Sequence, residues 1–489
     1  MRKAIFVFIS VCISIISTAQ TVGVLWGSPI NVGIGTTHNN IYPRLTLTSG
    51  DNPLVVWEDN SPAKIYSSYR MGPVFSAPIA LNNSGISPYV ATWTGAEIAS
   101  SGDTAFVVFT SMPVLSGNAY AVRTIDGGLT FSDTVRVNQF VGKIPSFPSV
   151  AVLPGGIPLV DYMYSDAGTM LNTEYTVCKS IDGGLTFLPE VTPINPGTVC
   201  ECCPASMAVS GNTQVLLYRN NISNVRDIWA SFSTDSCSTF SASAEIDTTN
   251  WLITSCPTSG PTGVIINDSL VYSWMSDATG DARIYIGTMN INDQQIGQHR
   301  QLYPVGVTTQ NYPVLAGKGD TLGIVWLGYN GGYQDVLFSW SLTGASGLGT
   351  VVDTITKGTT GHQSRPDLVF NNGKFHLVYS TTVGTQVQYL EGTIVQNVSV
   401  SEINSSSSLS FTATNWSGVM EMQINSSKEL NAEVFLLNAL GQQIIKTPLT
   451  IKTGSQNYSM QHQLNSGIYF ISVVTSDGNV VQKKICVIN

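Results

Sequence analysis

Charge is scarce in this sequence. Only 11% of the 489 residues are charged, 22 Lys and Arg stand against 31 Asp and Glu, and the formal net charge is −9. No run of basic residues occurs in the chain. Because nucleic-acid binding rests on clustered positive charge, nucleic acid is excluded as the expected partner.

Long apolar runs are also lacking, with one exception at the N-terminus. Residues 1–20, MRKAIFVFISVCISIISTAQ, have a basic start, an apolar centre and small residues at the −3 and −1 places for cleavage after Ala19. That order is typical of a secretory signal peptide, which we assign to residues 1–19. No later run approaches the ~18 apolar residues of a spanning helix. We therefore expect an exported protein without a transmembrane segment.

Histidine is rare, and the common catalytic patterns are missing. The chain has five histidines and no HExxH spacing, nucleotide-binding loop or Ser-His-Asp pattern. His38 and His362 precede strands of the first and last repeats described below. They form a rim pair if those two repeats are adjacent.

The sequence does contain a repeat of about fifty residues. Each unit begins with an X-Pro step, at Tyr42-Pro43, Ser87-Pro88, Phe147-Pro148, Cys203-Pro204, Cys256-Pro257, Tyr312-Pro313 and Arg365-Pro366. After each step comes an apolar run rich in β-branched and aromatic residues, bounded by Gly, Asn and Asp as strands are. These runs are PLVVW (53–57), AFVVF (105–109), IPLVD (157–161), QVLLY (214–218), LVYSW (270–274), GIVWL (323–327) and FHLVY (375–379).

Four short strands in each of seven units predict an all-β fold, a β-propeller of seven blades. We expect the proline of each step at the start of the innermost strand, which lines the channel and has an unpaired edge. The seventh unit lacks a clear fourth strand, and residues 22–33 are predicted to supply it and close the ring. Six blades is the alternative, if a terminal unit is degenerate.

Nearly the same nine residues occur twice, RTIDGGLTF at 123–131 and KSIDGGLTF at 179–187, and STDSCSTF at 233–240 is a decayed third copy. The phrase resembles the Asp box of sialidase-type propellers. Turn chemistry explains it: the Asp accepts backbone N–H bonds, the glycines permit positive φ, and the Phe packs under the turn. The predicted structural residues are Asp126, Gly128, Thr130, Phe131, Asp182, Gly184, Thr186, Phe187, Asp235, Thr239 and Phe240.

The resemblance also implies a candidate glycoside hydrolase site. In sialidases three arginines clamp a carboxylate, a tyrosine paired with a glutamate is the nucleophile, and an aspartate is the acid. The family's Arg-Ile-Pro phrase is not matched, since the nearest string is YPRLTL at 42–47. The candidates are Arg44, Arg219, Arg283 and Arg365 for the arginines, and Asp59 or Glu58 for the acid. Each is more often an ordinary rim charge, because a fold alone does not convey function.

Four cysteines are predicted to lie together at one end of the ring. Cys203 and Cys256 occupy the same place in consecutive units, and Cys200 and Cys202 lie just upstream in CECCPASMAV. Disulfides are expected in an exported protein, with a bridge between Cys256 and one of the other three. Four thiolates would alternatively suit Zn²⁺ or Cu(I). We expect no other cofactor.

The other cysteines of the mature chain are Cys178, Cys237 and Cys486. Cys178 and Cys237 can pair only if the outer edges of their blades approach, and Cys486 is then the odd thiol. Arg219, Arg226 and Asp227 are expected near the four cysteines.

The C-terminal region differs from the repeat. A Ser-rich linker spans residues 396–410, and strand-like runs follow in residues 411–489. The phrases LNALGQQI, LNSGIYFISV and GNVVQKKICV closely resemble the C-terminal sorting domain of the type IX secretion system of Bacteroidota. The resemblance implies a small β-sandwich, the secretion machinery as partner, and release from the cell or attachment to its surface. The propeller accordingly spans residues 20–395.

Two functions compete. One is a secreted propeller that binds a glycan or another surface ligand without hydrolysing it, favoured because the turn motifs are intact and the catalytic phrases are missing. The other is an exo-sialidase-type glycoside hydrolase with diverged catalytic residues. Three arginines and a Tyr–Glu pair converging at the channel mouth would favour the enzyme.

Overall fold

The computed structural model describes residues 21–33, 39–60, 63–83, 85–304, 306–383, 385–397, 409–416, 419–438, 443–462, 464, 467–476 and 480–487. The regular secondary structure of these residues is almost entirely β-strand, with short 3₁₀ helices at Ser49–Asp51 and Gly344–Gly347. The chain divides into two compact units, Val24–Ile394 and a second that includes Val395–Asn489.

The strands of the first unit are numbered in chain order. The first half contains β1 (Thr21–Trp26), β2 (Ile30–Asn31), β3 (Asn40–Thr48), β4 (Asn52–Asn60), β5 (Ala63–Met71), β6 (Val74–Phe75), β7 (Ile79–Ala80), β8 (Glu97–Ser101), β9 (Thr104–Thr110), β10 (Ala119–Thr124), β11 (Val135–Arg136), β12 (Lys143–Leu153), β13 (Ile157–Asp166) and β14 (Glu174–Lys179). The second half contains β15 (Thr198–Val199), β16 (Ser206–Ser210), β17 (Thr213–Asn221), β18 (Ile228–Ser233), β19 (Ala244–Glu245), β20 (Thr262–Ile266), β21 (Ser269–Ser276), β22 (Arg283–Asn290), β23 (Arg300–Gln301), β24 (Thr309–Lys318), β25 (Thr321–Tyr329), β26 (Gln334–Ser341), β27 (Asp353–Thr354), β28 (Gln363–Asn371), β29 (Lys374–Thr381) and β30 (Gln386–Asn397).

These strands form small antiparallel sheets, numbered here in chain order. Sheet 1 is β3-β4-β5-β6 with β7, sheet 2 is β8-β9-β10-β11, sheet 3 is β12-β13-β14, and sheet 4 is β17-β18-β19 with β15 and β16 both paired to β17. Sheet 5 is β20-β21-β22-β23, sheet 6 is β24-β25-β26-β27, and sheet 7 is β28-β29-β30-β1 with β2 paired to β30. The N-terminal strand β1 thus supplies the outer strand that the last repeat lacks.

The apolar runs noted in the sequence form the second strand of each sheet. In β9, for example, every residue from Ala105 to Thr110 is buried, and β4, β17, β21, β25 and β29 are similar. A strand covered on both faces carries a continuous apolar run instead of an alternating one. The second strands therefore lie between neighbouring sheets.

The cores of this unit lie between consecutive sheets. Each cluster of buried side chains among the described residues draws on two neighbouring sheets, and one of them joins sheet 7 to sheet 1 through Tyr389, Val378, Trp57 and Val55. The first strands also contact each other in order, and β28 contacts β3. Sheets 7 and 1 are therefore neighbours.

The X-Pro steps differ from the prediction. Four of them lie within a first strand at a β-bulge, not at its start, and the residue before proline has a positive φ: Tyr42 (52°), Phe147 (50°), Tyr312 (56°) and Arg365 (48°). At a bulge the extra residue is not paired with the neighbouring strand. The strand therefore tolerates proline there, because no hydrogen bond between the strands requires its missing N–H group. Pro204 lies two residues before the start of β16, whereas Pro88 and Pro257 lie in the loops upstream of β8 and β20.

The second unit contains β31 (Leu409–Trp416), β32 (Val419–Ser426), β33 (Leu430–Asn438), β34 (Gln443–Ile451), β35 (Gly454–Gln461), β36 (Gly467–Thr475) and β37 (Val480–Val487). They form two sheets, β31-β32-β35 and β34-β33-β36-β37. Alternate residues of β32 and β33 point into one shared core that includes Met420, Ile424, Val434 and Leu436.

The linker assigned to residues 396–410 is only partly within the described residues. Strand β30 continues to Asn397 and β31 begins at Leu409, so both ends of the assigned linker belong to strands. Residues 398–408 lie outside the described residues, as does the signal peptide assigned to residues 1–19.

Candidate functional site

The sheets of the first unit have two ends of different character. Because adjacent strands run antiparallel, each first strand begins where its second strand ends, and we call this end the loop face. It carries the loops before β3, β8, β12, β16, β20, β24 and β28, together with the hairpins that join second and third strands. The four bulges lie toward this end. Bulky residues at positive φ are uncommon and concentrate at functional sites, which directs attention to the loop face.

Five side chains from four sheets meet near these bulges, and we call them the tyrosine–arginine cluster: Tyr42, Arg44, Glu97, Tyr312 and Arg365. Tyr42 Oη donates to Glu97 Oε1 at 2.9 Å, and Arg44 Nε donates to Glu97 Oε1 and Oε2 at 2.9 and 3.0 Å. The Arg365 guanidinium lies 3.5 Å from the Tyr312 ring centroid and 5.6 Å from that of Tyr42. Arg365 Nε donates to Thr92 O at 2.5 Å.

The charges in the cluster are coupled. Burial raises the pKa of the Tyr42 phenol above its usual range, and the neighbouring Glu97 adds to the rise. Burial opposes the charge of Arg44, but Glu97 holds the pKa of its guanidinium above the usual value overall. Burial lowers the pKa of Arg365, which stacks on the two tyrosine rings. Two residues after Arg365 on β28, burial raises the pKa of Asp367 to about 6 despite the nearby Arg44.

Of the residues proposed from the sequence, the structure brings Arg44 and Arg365 together and places the others elsewhere. Arg219 is fully buried and donates to the carbonyl oxygens of Ser259, Arg226 and Met275 at 3.1, 2.5 and 2.7 Å. Arg283 donates to Val307 O at 2.7 Å and to Asp281 at 3.0 Å. Only two of the four proposed arginines therefore converge, whereas a sialidase-type clamp needs three.

The proposed acids are buried in sheet 1. Glu58 Oε1 accepts from Ala96 N at 2.7 Å, and burial holds the pKa of Glu58 well above its usual value. Asp59 is the next residue of β4 and is also buried. Neither carboxylate is exposed to a ligand at the loop face.

Sequence reasoning did not select Tyr42, Glu97 or Tyr312 as site residues. Both tyrosines precede the proline of a repeat unit, so an aromatic residue at the same place in two units was an available signal. Glu97 carries no such signal, because its contacts with Tyr42 and Arg44 join first strands of different sheets.

Aromatic side chains also project from the loop face. Trp93, Tyr303, Tyr329 and Tyr333 are 39%, 66%, 36% and 42% exposed, and we call them the aromatic rim. Trp93 and Tyr303 lie in loops before β8 and β24, and the other two lie at the hairpin between β25 and β26. His362 Nδ1 accepts from Gln334 N at 3.2 Å beside Tyr333, whereas His38 lies outside the described residues.

The cysteine cluster, Cys200, Cys202, Cys203 and Cys256, lies at the loop face between sheets 4 and 5. Its four sulfur atoms are all within 4.8 Å of one another. Cys202 and Cys256 form a disulfide with a Cα–Cα separation of 6.3 Å. Cys200 Sγ lies 3.2 Å from Cys203 Sγ and 3.8 Å from Cys202 Sγ.

Two arginines adjoin these sulfur atoms. Arg226 Nη1 donates to Cys200 Sγ at 2.9 Å and contacts Glu201 at 3.3 Å. The pKa of the Cys200 thiol is lowered to about 7 by its hydrogen bond with Cys203 and by Arg226 and Arg219, against the effect of burial. Asp227 instead holds the following loop, since it accepts from the backbone N–H groups of Asn250 and Trp251.

Two more cysteines of the first unit, Cys178 and Cys237, lie away from the loop face. Cys178 and Cys237 are buried thiols that line one cavity of about 250 Å³, with Leu188 and Pro189. The outer edges of sheets 3 and 4 therefore approach here, yet the two thiols form no disulfide. The side chain of Cys486 is outside the described part of the chain.

The turns whose sequences resemble Asp boxes lie at the end of the sheets opposite the loop face. Asp126 Oδ1 accepts from Thr130 N at 2.9 Å and Oδ2 from Thr130 Oγ1 at 2.5 Å. Asp182 with Thr186, and Asp235 with Thr239, make the same two bonds at 2.6–2.9 Å. Phe131, Phe187 and Phe240 pack into the cores between successive sheets.

The C-terminal region matches a known family. Residues 416–488 fit the model of the secretion system C-terminal sorting domain. The chain carries a type IX secretion sorting domain. The protein is thus delivered by that system to the cell surface or released from the cell. No helix among the described residues is long and apolar enough to cross a membrane.

Solved structures resemble this chain in fold. A polysaccharide lyase of family PL25, an ulvan lyase, is 9% identical with a TM-score of 0.50, over 74% of this chain and 94% of that one. A Dyadobacter fermentans protein of unknown function is 12% identical with a TM-score of 0.47, over 76% and 100%. Trypanosoma rangeli sialidase is 9% identical with a TM-score of 0.43, over 93% and 87%. At such identities the likeness is one of fold alone, and it is propeller-like. No curated protein matches the chain in sequence.

Proposed function

We propose that the protein is an exported, closed seven-bladed β-propeller that binds a glycan at its loop face without hydrolysing it. Closure is supported by the core that joins sheet 7 to sheet 1 and by the pairing of β1 with β30. A propeller blade buries both faces of its sheet only when the ring is complete. Each of the seven sheets then corresponds to one repeat unit.

The aromatic rim carries the proposal for the ligand. Exposed tyrosine and tryptophan rings offer an apolar face for stacking and a polar tip for hydrogen bonds, a combination that suits the CH faces and hydroxyl groups of sugars. Tyr303 also lies over the Arg283 guanidinium, at 5.3 Å from its ring centroid, which holds the ring in place. The rim residues come from separate loops, so an extended glycan is the ligand that contacts several of them.

Binding is favoured over catalysis by the state of the arginines. Arg44 is already paired with Glu97, and Arg365 is only 6% exposed between two tyrosine rings. A sialidase-type clamp requires guanidinium groups that are available to a substrate carboxylate. The Tyr42–Glu97 hydrogen bond is the one observation that favours the hydrolase alternative.

An array of neutral and acidic glycans tests the proposal. We expect the purified chain to bind a defined glycan class, and Trp93→Ala and Tyr303→Ala to weaken that binding about tenfold, since each removes about 1.4 kcal/mol of stacking contact. Leu129→Ala is the matched control, because Leu129 is 55% exposed at the opposite end of the sheets. Unchanged binding by both rim variants would contradict the proposed site.

A fluorogenic sialoside distinguishes the alternative. Turnover by the purified chain that disappears in Arg44→Ala would establish hydrolysis and overturn the binding-only function. We expect no turnover by either protein.

A further inference from the structure

We infer that the cysteine cluster, in its reduced form, is a binding site for one Zn²⁺ ion. Structural zinc sites use four thiolates at about 2.3 Å from the metal, which places the sulfur atoms about 3.8 Å apart in a tetrahedron. Cys200 and Cys202 have that separation, and all four sulfur atoms fall within 4.8 Å of one another. Four protein ligands complete the coordination of zinc, so the ion would fasten two sheets together rather than act on a substrate.

The backbone holds the four sulfur atoms in place from two sheets. Cys200 N donates to Arg219 O at 2.9 Å and Cys203 N to Cys200 O at 3.3 Å, which folds CECC into a tight turn on the end of β17. Tyr175 of sheet 3 donates its hydroxyl to Cys203 O. A Cβ on Gly260 would stand 2.0 Å from Pro204 O, so the loop after Cys256 is pressed against the loop after Cys203. The backbone positions of the four cysteines are thus fixed before an ion binds, and only their side chains need to adjust once the disulfide is reduced.

The local charge distinguishes a zinc–thiolate cluster from a pair of disulfides. Arg219 is 0% exposed, and among the described residues its guanidinium has carbonyl partners but no carboxylate within 4.0 Å. Arg226 is 3% exposed and bonds to Cys200 Sγ, with Glu201 as its one ion-pair partner in the described part of the chain. Burying a cation is costly unless an anion lies nearby. Zn²⁺ with four thiolates carries a charge of −2 and would lie beside both the Arg219 guanidinium and the Arg226–Glu201 pair, whereas two disulfides are neutral and offer Arg219 no anion.

The Cys202–Cys256 disulfide is then the oxidised, metal-free form of the same cluster. A dithiol reduces it: the S–S bond breaks, the two cysteine sulfurs gain two electrons and two protons, and the dithiol becomes a disulfide. Zn²⁺ next replaces the four thiol protons, which pass to solvent. The reduction and the metal binding together therefore require only the dithiol and Zn²⁺.

Cobalt substitution tests the site on the full chain. The protein is reduced with dithiothreitol, freed of the reductant without oxygen, and titrated with Co²⁺. We expect one Co²⁺ per chain, with the intense visible bands of a tetrahedral tetrathiolate site, and displacement by one equivalent of Zn²⁺. We also expect Zn²⁺ to remove four thiols from reaction with a disulfide reagent and a chelator to restore them. A reduced, folded chain that binds no stoichiometric Co²⁺ would overturn the inference.

Variants separate this site from adventitious binding. Cys203→Ser and Cys256→Ser should each abolish the tetrathiolate bands, whereas the double change Cys178→Ser with Cys237→Ser, which removes the buried thiols outside the cluster, should leave them unchanged. Bands of equal strength in Cys203→Ser would count against the site. If the serine variants unfold, the thiol-protection experiment on the unchanged chain decides by itself.

The arginines provide a further readout. Arg226→Gln should weaken Zn²⁺ affinity about tenfold or more, as changes next to metal ligands do. Arg283→Gln, a buried arginine bonded to a carbonyl away from the cluster, should not alter it. Equal Zn²⁺ affinity in the unchanged chain and Arg226→Gln would refute the charge argument.

Discussion

At the scale of single residues, three aspartates each stabilise one turn by the same pair of hydrogen bonds. Each carboxylate accepts hydrogen bonds from a backbone N–H and a hydroxyl four residues later, with distances of 2.5–2.9 Å. These bonds favour the charged form, so the pKa of Asp126 and that of Asp235 are lowered to about 2, against the opposing effect of burial. The turn is therefore held by a charge that acid removes.

We predict that Asp126→Asn destabilises the protein near pH 6 by about 1 kcal/mol and that this difference vanishes as the pH falls. The folded-state pKa lies below the ordinary ~3.9, so the bonds stabilise above pH ~4 and are lost between about pH 4 and pH 2. Chemical denaturation across this range measures the difference. Asp353→Asn, an exposed aspartate of β27, should show no such trend, and a constant Asp126→Asn difference down to pH 2 would contradict the assignment.

At the scale of elements, the same turns join each sheet to the one before it. A Cβ on Gly128 would meet Leu54 of sheet 1 at 2.5 Å, and one on Gly184 would meet Phe106 of sheet 2 at 2.6 Å. Both glycines have positive φ, at 95° and 84°. The repeated phrase thus encodes a contact between sheets as well as a turn. In the third copy of the phrase, Cys237 stands at the position of this glycine and has a φ of 57°.

Gly184→Ala should cost about 2–3 kcal/mol in unfolding free energy, because it adds a clash with a buried ring to the strain of a left-handed backbone. Gly155→Ala is the matched control: its φ is 89°, yet no atom lies within 4 Å of the added Cβ. The control should lose only about 1 kcal/mol of unfolding free energy, the part that comes from the strain of a left-handed backbone. Equal losses in the two variants would show that the contact with sheet 2 is unimportant.

At the scale of the whole molecule, strand β1 completes sheet 7 from the far end of the first unit. Trp26 of β1 packs edge-on against Phe338 at 5.0 Å between ring centroids. Gly392 of β30 faces Trp26, where an added Cβ would stand 2.9 Å from the indole. The N-terminal strand is therefore part of the packed structure.

We expect Trp26→Ala to destabilise the first unit by about 2 kcal/mol, less than the loss of a fully buried indole because Trp26 is half-buried. Leu25→Ala, the neighbouring residue, removes a side chain that is 52% exposed and should change stability by less than about 0.5 kcal/mol. Thermal unfolding of both variants makes the comparison. Equal stability of Trp26→Ala and the unchanged chain would mean that the packing of β1 does not stabilise the first unit.

Export is a property of the whole chain. Deletion of residues 409–489 removes the sorting domain, and we predict that the truncated chain stays in the periplasm, folded and protease-resistant. Cell fractionation with the full chain as control measures this. Normal appearance of the truncated chain outside the cell would contradict the role of the C-terminal domain.

Much of the fold follows from local patterns in the sequence. Apolar runs about fifty residues apart predict repeated sheets, because a strand covered on both faces needs a continuous apolar run. The sorting domain was predicted from LNALGQQI, LNSGIYFISV and GNVVQKKICV, and the family match confirms it. The propeller-like all-β fold was predicted in the same way.

The site depended on tertiary structure. The bonds from Glu97 to Tyr42 and Arg44 join residues 55 and 53 positions apart, and those positions meet only because first strands of successive sheets lie side by side. Arg219 and Arg283 were candidates by residue type. In the structure both are buried and donate hydrogen bonds to backbone carbonyl oxygens. The sequence by itself determined the repeats, the turns and the export signal, since these rest on neighbours along the chain. Which side chains meet at the loop face was decided by the packing of the sheets, because those contacts join residues that are distant in sequence.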